Sequence, residues 1–593
     1  YKRQDNRNNI NTTLRLNYDL SSLLTKGLSV HGSIAYDSYY YSRKKYSKTF
    51  PYYLARRDAE DPDYIYLIPQ SEESIWSVST GWDKNRKVYM EFGIDYNRTF
   101  GLHKTTALIL YNQSKYYSPS LQYYVPNAYQ GLVGRLTYEY ASRYLAEFNM
   151  GYNGTENFAK GKRFGFFPAV SLGWVISEEK FFPKNNIVKY LKVRGSYGEV
   201  GNDQIGGDRF LYLPSSYGAA SDSGVNKYNF GLASNPYTSL MIVENKIGNP
   251  DLTWEKAKKM NVGVDINLFN NCLTASFDIF KEKRNNILAN RSTSPMIIGA
   301  NLPAYNFGEM ENRGWEMDLN FRHHIQDFHY WARFNYSFAR NEIIYMDEVQ
   351  KRYDYQMTTG RRKNQFFGLI FDGYYNSWEE INALDRPKSS WSGNQLQPGD
   401  VKYVDVNQDG VIDDYDMVPI GYTPVPEIIY GFSFGAQYKG FDFSILFQGA
   451  DNVSIKYFGR SMWPFAKGEE SAKSLIKERW TQERYEAGEK ITFPRLSLNP
   501  NGETDHNYRP STLWIRDASY LRLKNLEVGY TFTGGFVKRL NLNSVRLYFN
   551  GSNLFTWTDV VDLDPEAPSR SGNVEINTYP LQKVYNIGLN INF

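Results

Sequence analysis

The stretch MNVGVDINLFNNCLTASFDIF (260–280) alternates in character on either side of a short interruption. Met260, Val262, Val264, Ile266 and Leu268 are apolar, Asn270 and Asn271 interrupt, and Leu273, Ala275, Phe277 and Ile279 resume the same period. Successive strand side chains point to opposite faces, so each run carries one greasy face and one wet face. Two such runs joined by a short Asn-rich link read as an antiparallel hairpin. The fold then turns on what covers the greasy face.

The same pattern recurs in both directions from this hairpin. Leu14, Leu16, Tyr18 and Leu20 precede a short link, after which Leu28, Val30, Ile34 and Tyr36 return. Trp315, Met317, Leu319 and Phe321 lead through a turn at His323-His324 to Phe328, Tyr330, Ala332 and Phe334. Tyr430, Phe432, Phe434 and Ala436 turn at Lys439-Gly440 into Phe441, Phe443, Ile445 and Phe447. The last segment, YNIGLNINF (585–593), alternates in the same way. About 16 to 18 such strands can be traced, many near the ~10 residues of a tilted membrane strand. Much longer connections lie near 200–257, 283–313, 340–427, 449–512 and 557–583. Short turns on one side and long loops on the other describe an outer-membrane barrel. A soluble β-sandwich or propeller array is the alternative, but no blade-length repeat is visible. The expected fold is all-β, a transmembrane antiparallel β-barrel with long extracellular loops.

Composition agrees. The 593 residues include 50 Tyr, 36 Phe and 12 Trp, and aromatics reach 17%. Mean hydropathy is −0.57, and no apolar run approaches the ~20 residues of a membrane helix. That excludes a helical membrane protein and leaves a barrel, whose strands hide their lipid face in alternation. A net charge of +4 gives no basic field for nucleic acid. Cys272 is alone, which excludes an internal disulfide and a cysteine-built metal cluster. It follows Asn271 at a turn, and the sequence gives it no identifiable His partner for nucleophile chemistry. The start, YKRQDNRNNINTTLRL, is polar and carries no signal-peptide pattern. GEESAKSLIKERW (468–480) predicts one helix inside a long loop, with Leu475, Ile476 and Trp480 as its apolar stripe.

Several phrases go beyond pattern. They are RYLAEFNMGYNGTENFAKGKRFGFFPAVSLGWVISEEKFF (143–182), YLKVRGSYGEVGND (190–203), GNPDLTWEKAKKMNVGVDINLFNNCLTASFDIFKEKRNNIL (248–288), GDVKYVDVNQDGVIDDYDMVPIG (399–421) and WIRDASYLRLKNLEVGYTF (514–532). Together they resemble the barrel of the SusC/RagA family of TonB-dependent transporters, from roughly the first hairpin to the last residue. The resemblance implies a 22-stranded outer-membrane barrel, plugged by an amino-terminal domain and powered through the TonB complex. It also implies a SusD-like surface lipoprotein closing over the mouth, and outer-membrane lipids around the wall. The strand count here falls short of 22, and no plug, TonB box or signal peptide appears. The expectation is therefore that residues 1–593 are the carboxy-terminal part of a longer chain. The terminal strand, with Tyr585, Ile587, Leu589, Ile591 and Phe593 on one face, resembles the signal read by the barrel-assembly machinery.

The sharpest chemical motif is DVNQDGVIDDYD (405–416). Asp405, Asn407, Asp409, the Val411 carbonyl, Asp413 and Asp416 fall at positions 1, 3, 5, 7, 9 and 12 of a calcium loop, with Gly410 at its sharp turn. The expected cofactor is a structural Ca²⁺, with Mg²⁺ as the alternative. Asp in place of Glu at the last position makes bidentate ligation less secure. His323, His324 and His329 read as a polar connection, since adjacent strand residues point oppositely. Among the loop aromatics, Tyr457, Phe458 and Trp463 of YFGRSMWPF (457–465) are the substrate-contact candidates; interface packing is their alternative role. No Gly-x-Ser-x-Gly elbow, phosphate loop or zinc motif points to an enzyme. The expected function is active import of oligosaccharides or peptides, against two alternatives: a passive porin, or a barrel-anchored surface hydrolase or adhesin.

Overall fold

Alternation along the chain becomes pairing between neighbours. In the hairpin Glu255–Leu268/Leu273–Ala289, Val262 stands opposite Ile279, Val264 opposite Phe277 and Ile266 opposite Ala275. The intervening pairs are polar or small, Gly263 with Asp278 and Asp265 with Ser276. A slip of one residue would move every apolar side chain to the wrong face, so the pattern fixes the register. The turn takes Phe269, Asn270 and Asn271 through φ of 53, 55 and 68°.

The computed structural model describes residues 2–57, 60–61, 63–204, 209–219, 227–232, 237–293, 302–391, 396–457, 463–465, 474–497, 506–561, 563–566 and 581–593. Among these, seventeen strands belong to one sheet, within the range that the alternation predicts. The chain divides into two compact units, Tyr1–Ala141 with Leu145–Val170 and Gly201–Trp254, and Ser142–Tyr144 with Ser171–Val200 and Glu255–Phe593.

In the first unit the antiparallel run is Lys2–Asp19, Leu28–Ser47, Ser77–Phe100, His103–Tyr117 and Asn127–Tyr140. Leu14 pairs with Ile34 on the apolar face. On the polar face Ser33 Oγ donates to Glu91 Oε1 at 3.1 Å, and His31 Nδ1 lies 2.6 Å from Asp95 Oδ2. A local core forms where the Trp254 ring meets Phe158 at 5.6 Å and Phe167 at 5.3 Å between centroids.

In the second unit the opening hairpin continues antiparallel through Tyr305–Ile325, Phe328–Tyr345, Ile428–Tyr438 and Phe441–Asp451. Tyr520–Phe532, Ser544–Thr558 and Val584–Asn592 follow. This unit is built inside out relative to a water-soluble sheet. Met260, Val262 and Ile279 on the apolar face are 54, 59 and 56% exposed. The opposite face knits charges together: Arg194 donates to Asp278 Oδ1 at 2.7 Å and Asp265 Oδ2 at 3.0 Å, and Ser276 Oγ donates to Asp265 Oδ1 at 2.9 Å. Gly263 leaves room for this cluster, because a Cβ at that position would lie 2.7 Å from the Arg194 guanidinium carbon and would displace it. A large uncovered apolar face backed by a satisfied polar one is what a lipid-facing wall needs. Among the described residues no helix is long and apolar enough to cross a membrane.

Two sequence expectations need correction. The turn placed at His323-His324 falls later: His323 and His324 are still paired, with Tyr330 and His329, and the strand ends at Ile325. The chain reverses at Gln326, whose φ is 52°. The helix expected over 468–480 lies partly outside the described residues. Its described part is a 3₁₀ turn, Ser474–Glu478, followed after a break by the short helix Gln482–Glu486. The reason is tertiary: Trp480 gives its backbone N–H to the Phe493 carbonyl at 2.8 Å and its indole N–H to Asn376 Oδ1 at 3.1 Å. These bonds and its buried ring take Trp480 out of helical geometry.

Candidate functional site

The long connections of the second unit fold on one another rather than hanging free. Short strands pair within them: Phe366–Gly368 with Val418–Ile420, Phe371–Tyr374 with Val401–Tyr403, and Ser454–Lys456 with Ile515–Asp517. Leu369, Val401, Ile412, Ile455, Trp480 and Trp514 close a hydrophobic core beneath them. Asp400 is buried in that core and answered by Arg495 Nε at 2.5 Å and Asn507 Nδ2 at 2.8 Å. Glu427, at the foot of Ile428–Tyr438, is buried between Arg340 and Arg362, with Arg340 Nη2 donating at 2.8 Å.

The acidic loop 405–416 stands on this layer. Gly410 takes φ of 81°, a backbone state that L side chains rarely adopt. Its N–H donates to Asp405 Oδ2 at 2.8 Å, Asp409 N–H to Asn407 Oδ1 at 3.0 Å, and Val411 N–H to Asp409 Oδ1 at 2.9 Å. Asp413 caps the 3₁₀ turn Asp414–Asp416, accepting from Tyr415 N–H at 2.7 Å, while Asp416 Oδ2 accepts from Asp413 N–H at 2.9 Å. That reciprocal arrangement is a capping box. Asp416 is fully buried and also accepts from Val406 N–H at 2.8 Å. Burial pushes its carboxyl up, the backbone N–H groups push back, and the Asp405 charge adds to the rise. Asp405 Oδ1 is itself buried without a hydrogen-bond partner. Among the described residues, no three His, Cys, Asp or Glu side chains converge as a ready metal cluster. Here the carboxylates rest on backbone amides.

The two described substrate-contact candidates lie within the loop layer. Tyr457 and Trp463 are 4 and 6% exposed and belong to the hydrophobic core. The Tyr457 hydroxyl donates to the Val561 carbonyl at 3.0 Å and accepts from Val561 N–H at 2.8 Å. Phe458 lies outside the described residues.

An outward-apolar sheet carrying a folded loop layer matches one family over most of the chain. The family described as "TonB dependent receptor-like, beta-barrel" covers residues 1–554. The chain belongs to that family. Among its relatives, TonB-dependent receptor P3 of Formosa agariphila is 28% identical over 479 residues, 78% of this chain and 45% of the relative. TonB-dependent receptor SusC of Bacteroides thetaiotaomicron is 28% identical over 477 residues, 79% of this chain and 44% of SusC. The chain thus spans about half the length of these curated relatives. The structure of the RagAB peptide transporter superposes with a TM-score of 0.72 at 20% identity, covering 100% of this chain and 62% of that one, and so shares the fold.

Membership makes this an integral outer-membrane β-barrel of the TonB-dependent receptor family, a family of transporters rather than enzymes. The apolar face of the sheet is then the lipid face. In Val584–Asn592, Tyr585, Ile587, Leu589 and Ile591 lie on that face, opposite Gly551, Phe549, Leu547 and Val545; Phe593 follows immediately. At the short turns, Cys272 Sγ lies 3.4 Å from His323 Nδ1, and the His324 and His329 rings stack with centroids 5.5 Å apart. The Cys272–His323 contact leaves no mark in the sequence, because 51 residues separate the pair and only strand register joins them. The ion networks of Glu427 and Asp400 were equally hidden, since each gathers residues from separate connections.

Proposed function

We propose that this chain forms the barrel of an outer-membrane active importer of SusC type, taking up oligosaccharides or peptides. A SusD-like surface lipoprotein closes over the loop layer, and TonB-derived energy drives release inward. The observation that carries this reading is the family match over residues 1–554 on a sheet whose apolar side is bare and whose loops are folded. Folded loops with buried ion clusters suit a docking and capture surface; a passive pore needs only a constriction.

Calcium belongs to the same proposal. Asp405, Asn407, Asp409, the Val411 carbonyl, Asp413 and Asp416 supply the all-oxygen donor set a hard cation prefers. The orphaned Asp405 Oδ1 and the raised Asp416 carboxyl are the two features that a cation relieves. When bound, the ion would supply charge neutralisation and a fixed turn, with no part in covalent chemistry. The terminal alternating strand is proposed as the segment the barrel-assembly machinery reads, because an amphipathic edge strand can pair with an open sheet.

Uptake assays in the native bacterium test the reading. Deleting the gene and, separately, collapsing the proton gradient with an uncoupler should each abolish uptake of a labelled oligosaccharide or peptide. Purification in mild detergent should bring a surface lipoprotein with the barrel. Uptake that survives the uncoupler, together with large steady currents in planar bilayers, would identify a passive porin instead.

A further inference from the structure

Half of the six histidines, His323, His324 and His329, fall at one hairpin turn. Four of the six have a polar partner of another residue type. His31 meets Asp95 at 2.6 Å, His103 the Tyr138 hydroxyl at 2.7 Å, His323 the Cys272 thiol at 3.4 Å and His506 the Val401 carbonyl at 2.8 Å. The other two, His324 and His329, meet each other. Their ring centroids are 5.5 Å apart and their planes are inclined by 25°.

Strand register produces this meeting. The chain reverses at Gln326, so His324 pairs directly with His329 across the hairpin Tyr305–Ile325/Phe328–Tyr345. Directly opposed residues start from Cβ atoms about 4.5–5.5 Å apart. Counted by twos, His324 shares the face of Asp318 and His329 that of Arg333. Those two side chains pair at 2.9 Å, so both imidazoles lie on the polar face, and both are exposed to water.

Two imidazoles held side by side form a chelate. With a Zn–N bond of ~2.0–2.1 Å, a ring centroid stands about 3.2 Å from the metal, and two rings at a tetrahedral angle have centroids about 5.2 Å apart. The observed 5.5 Å is a small side-chain rotation away. Imidazole suits Zn²⁺, Cu²⁺ and Ni²⁺, whereas Ca²⁺ and Mg²⁺ take oxygen. This pair therefore differs in kind from the acidic loop 405–416. Among the described residues no third His, Cys, Asp or Glu side chain converges on it, which leaves the remaining positions to water.

We propose that His324 and His329 together bind one divalent transition-metal ion of the Zn²⁺ class, an exchangeable clip across the short-turn end of this hairpin.

Zn²⁺ calorimetry on the detergent-purified full-length protein tests it, without a histidine tag and with excess Ca²⁺ to fill oxygen sites. A Zn²⁺ site should survive the Ca²⁺. His324→Ala and His329→Ala should each weaken it at least about tenfold. The double variant should lose little more, because either change alone breaks the chelate. His103→Ala should leave it unchanged. Zn²⁺ affinity that is the same in the parent and both single variants overturns the proposal, as does Ca²⁺ displacing the Zn²⁺. Should an alanine variant lower the metal-free thermal midpoint, His324→Gln takes its place and should weaken binding by a similar factor; unchanged affinity again overturns the proposal. Electron paramagnetic resonance with Cu²⁺ gives a second reading. Splitting from two imidazole nitrogens should drop to one in His329→Ala, and a pattern that does not change overturns the proposal.

Discussion

Arg522 is 2% exposed and donates through Nη2 to Asp564 Oδ1 at 2.8 Å, joining the strand Tyr520–Phe532 to the connection that follows Ser544–Thr558. The same guanidinium pairs with Glu566 and gives its Nε to Thr556 Oγ1 at 3.0 Å. Tyr520 and Gln448 also donate to Glu566, at 2.9 and 3.2 Å. Burial pushes the Asp564 carboxyl up, but the Arg522 hydrogen bond and charge outweigh it and hold the group below the usual carboxylate range.

Removing this guanidinium strands two carboxylates. Arg522→Met should cost about 3–5 kcal/mol, the typical penalty for breaking a buried ion pair from one side. Urea unfolding of the detergent-solubilised protein measures it. The triple change Arg522→Met, Asp564→Asn, Glu566→Gln should recover most of the loss, because no unpaired charge remains. A single variant as stable as the parent would show that the network contributes nothing.

Glu427 gives the loop layer a pH limit. Burial raises its pKa, while the Arg340 hydrogen bond and the charges of Arg362 and Arg340 lower it further than burial raises it. A depressed carboxylate contributes stability that is complete above its unfolded value, about 4.3, and is lost as pH falls through the lower folded value. Protease resistance of the loops should therefore hold from pH 7 to about 5 and decline below about 4. Glu427→Gln should weaken resistance at pH 7 and flatten its decline in acid. A variant that keeps the parent's acid profile would place the titration elsewhere.

The acidic loop should compete for protons when it takes a cation. Asp416 titrates above the usual carboxylate range through burial and the Asp405 charge. Calcium affinity should therefore fall as the solution is acidified, beginning at a higher pH than an unshifted aspartate would give, as terbium luminescence or calorimetry would record. Gly410→Val, at φ of 81°, should loosen the loop by about 1–2 kcal/mol and lower affinity in step. A Cβ there would meet nothing within 4 Å, so the Cβ itself brings backbone strain and no clash. Calcium binding that ignores both changes would place the ion somewhere else.

The wall of this protein is legible in its sequence because each strand announces itself within about ten residues. Val262, Val264 and Ile266 need only a partner of equal period, and Ile279, Phe277 and Ala275 supply it. The loop layer is not legible in that way. Its strands are two to four residues long, as in Ser454–Lys456 and Phe371–Tyr374, too short for any period to show. Its buried polar contacts join distant segments: Asp400 to Asn507 spans 107 residues and Arg340 to Glu427 spans 87. The acidic loop is the exception, since the turn is local and Gly410 marks it. Trp480 shows the opposite failure, a helical stripe that a deep core contact overrides.

The direction of the sheet can be tested at two adjacent residues. In Val584–Asn592, Ile587 pairs with Phe549 on the apolar face and is 82% exposed, whereas Asn586 pairs with Asn550 on the polar face. Asn550 Nδ2 donates to Glu527 Oε2 at 3.1 Å, so a cation introduced at position 586 meets a carboxylate nearby. At position 587 the same cation would have to sit in hydrocarbon. Arginine on the lipid face of a barrel costs about 2–4 kcal/mol at the midplane and less toward the interfaces. Ile587→Arg should therefore lower the yield of folded barrel in lipid vesicles and its unfolding free energy, while Asn586→Arg should change both little. The comparison is internal: strand and introduced residue are shared, and the face differs. Equal penalties at the two positions, or a larger one at Asn586, would mean that the apolar side of this sheet does not face lipid, and the barrel reading would fall with it.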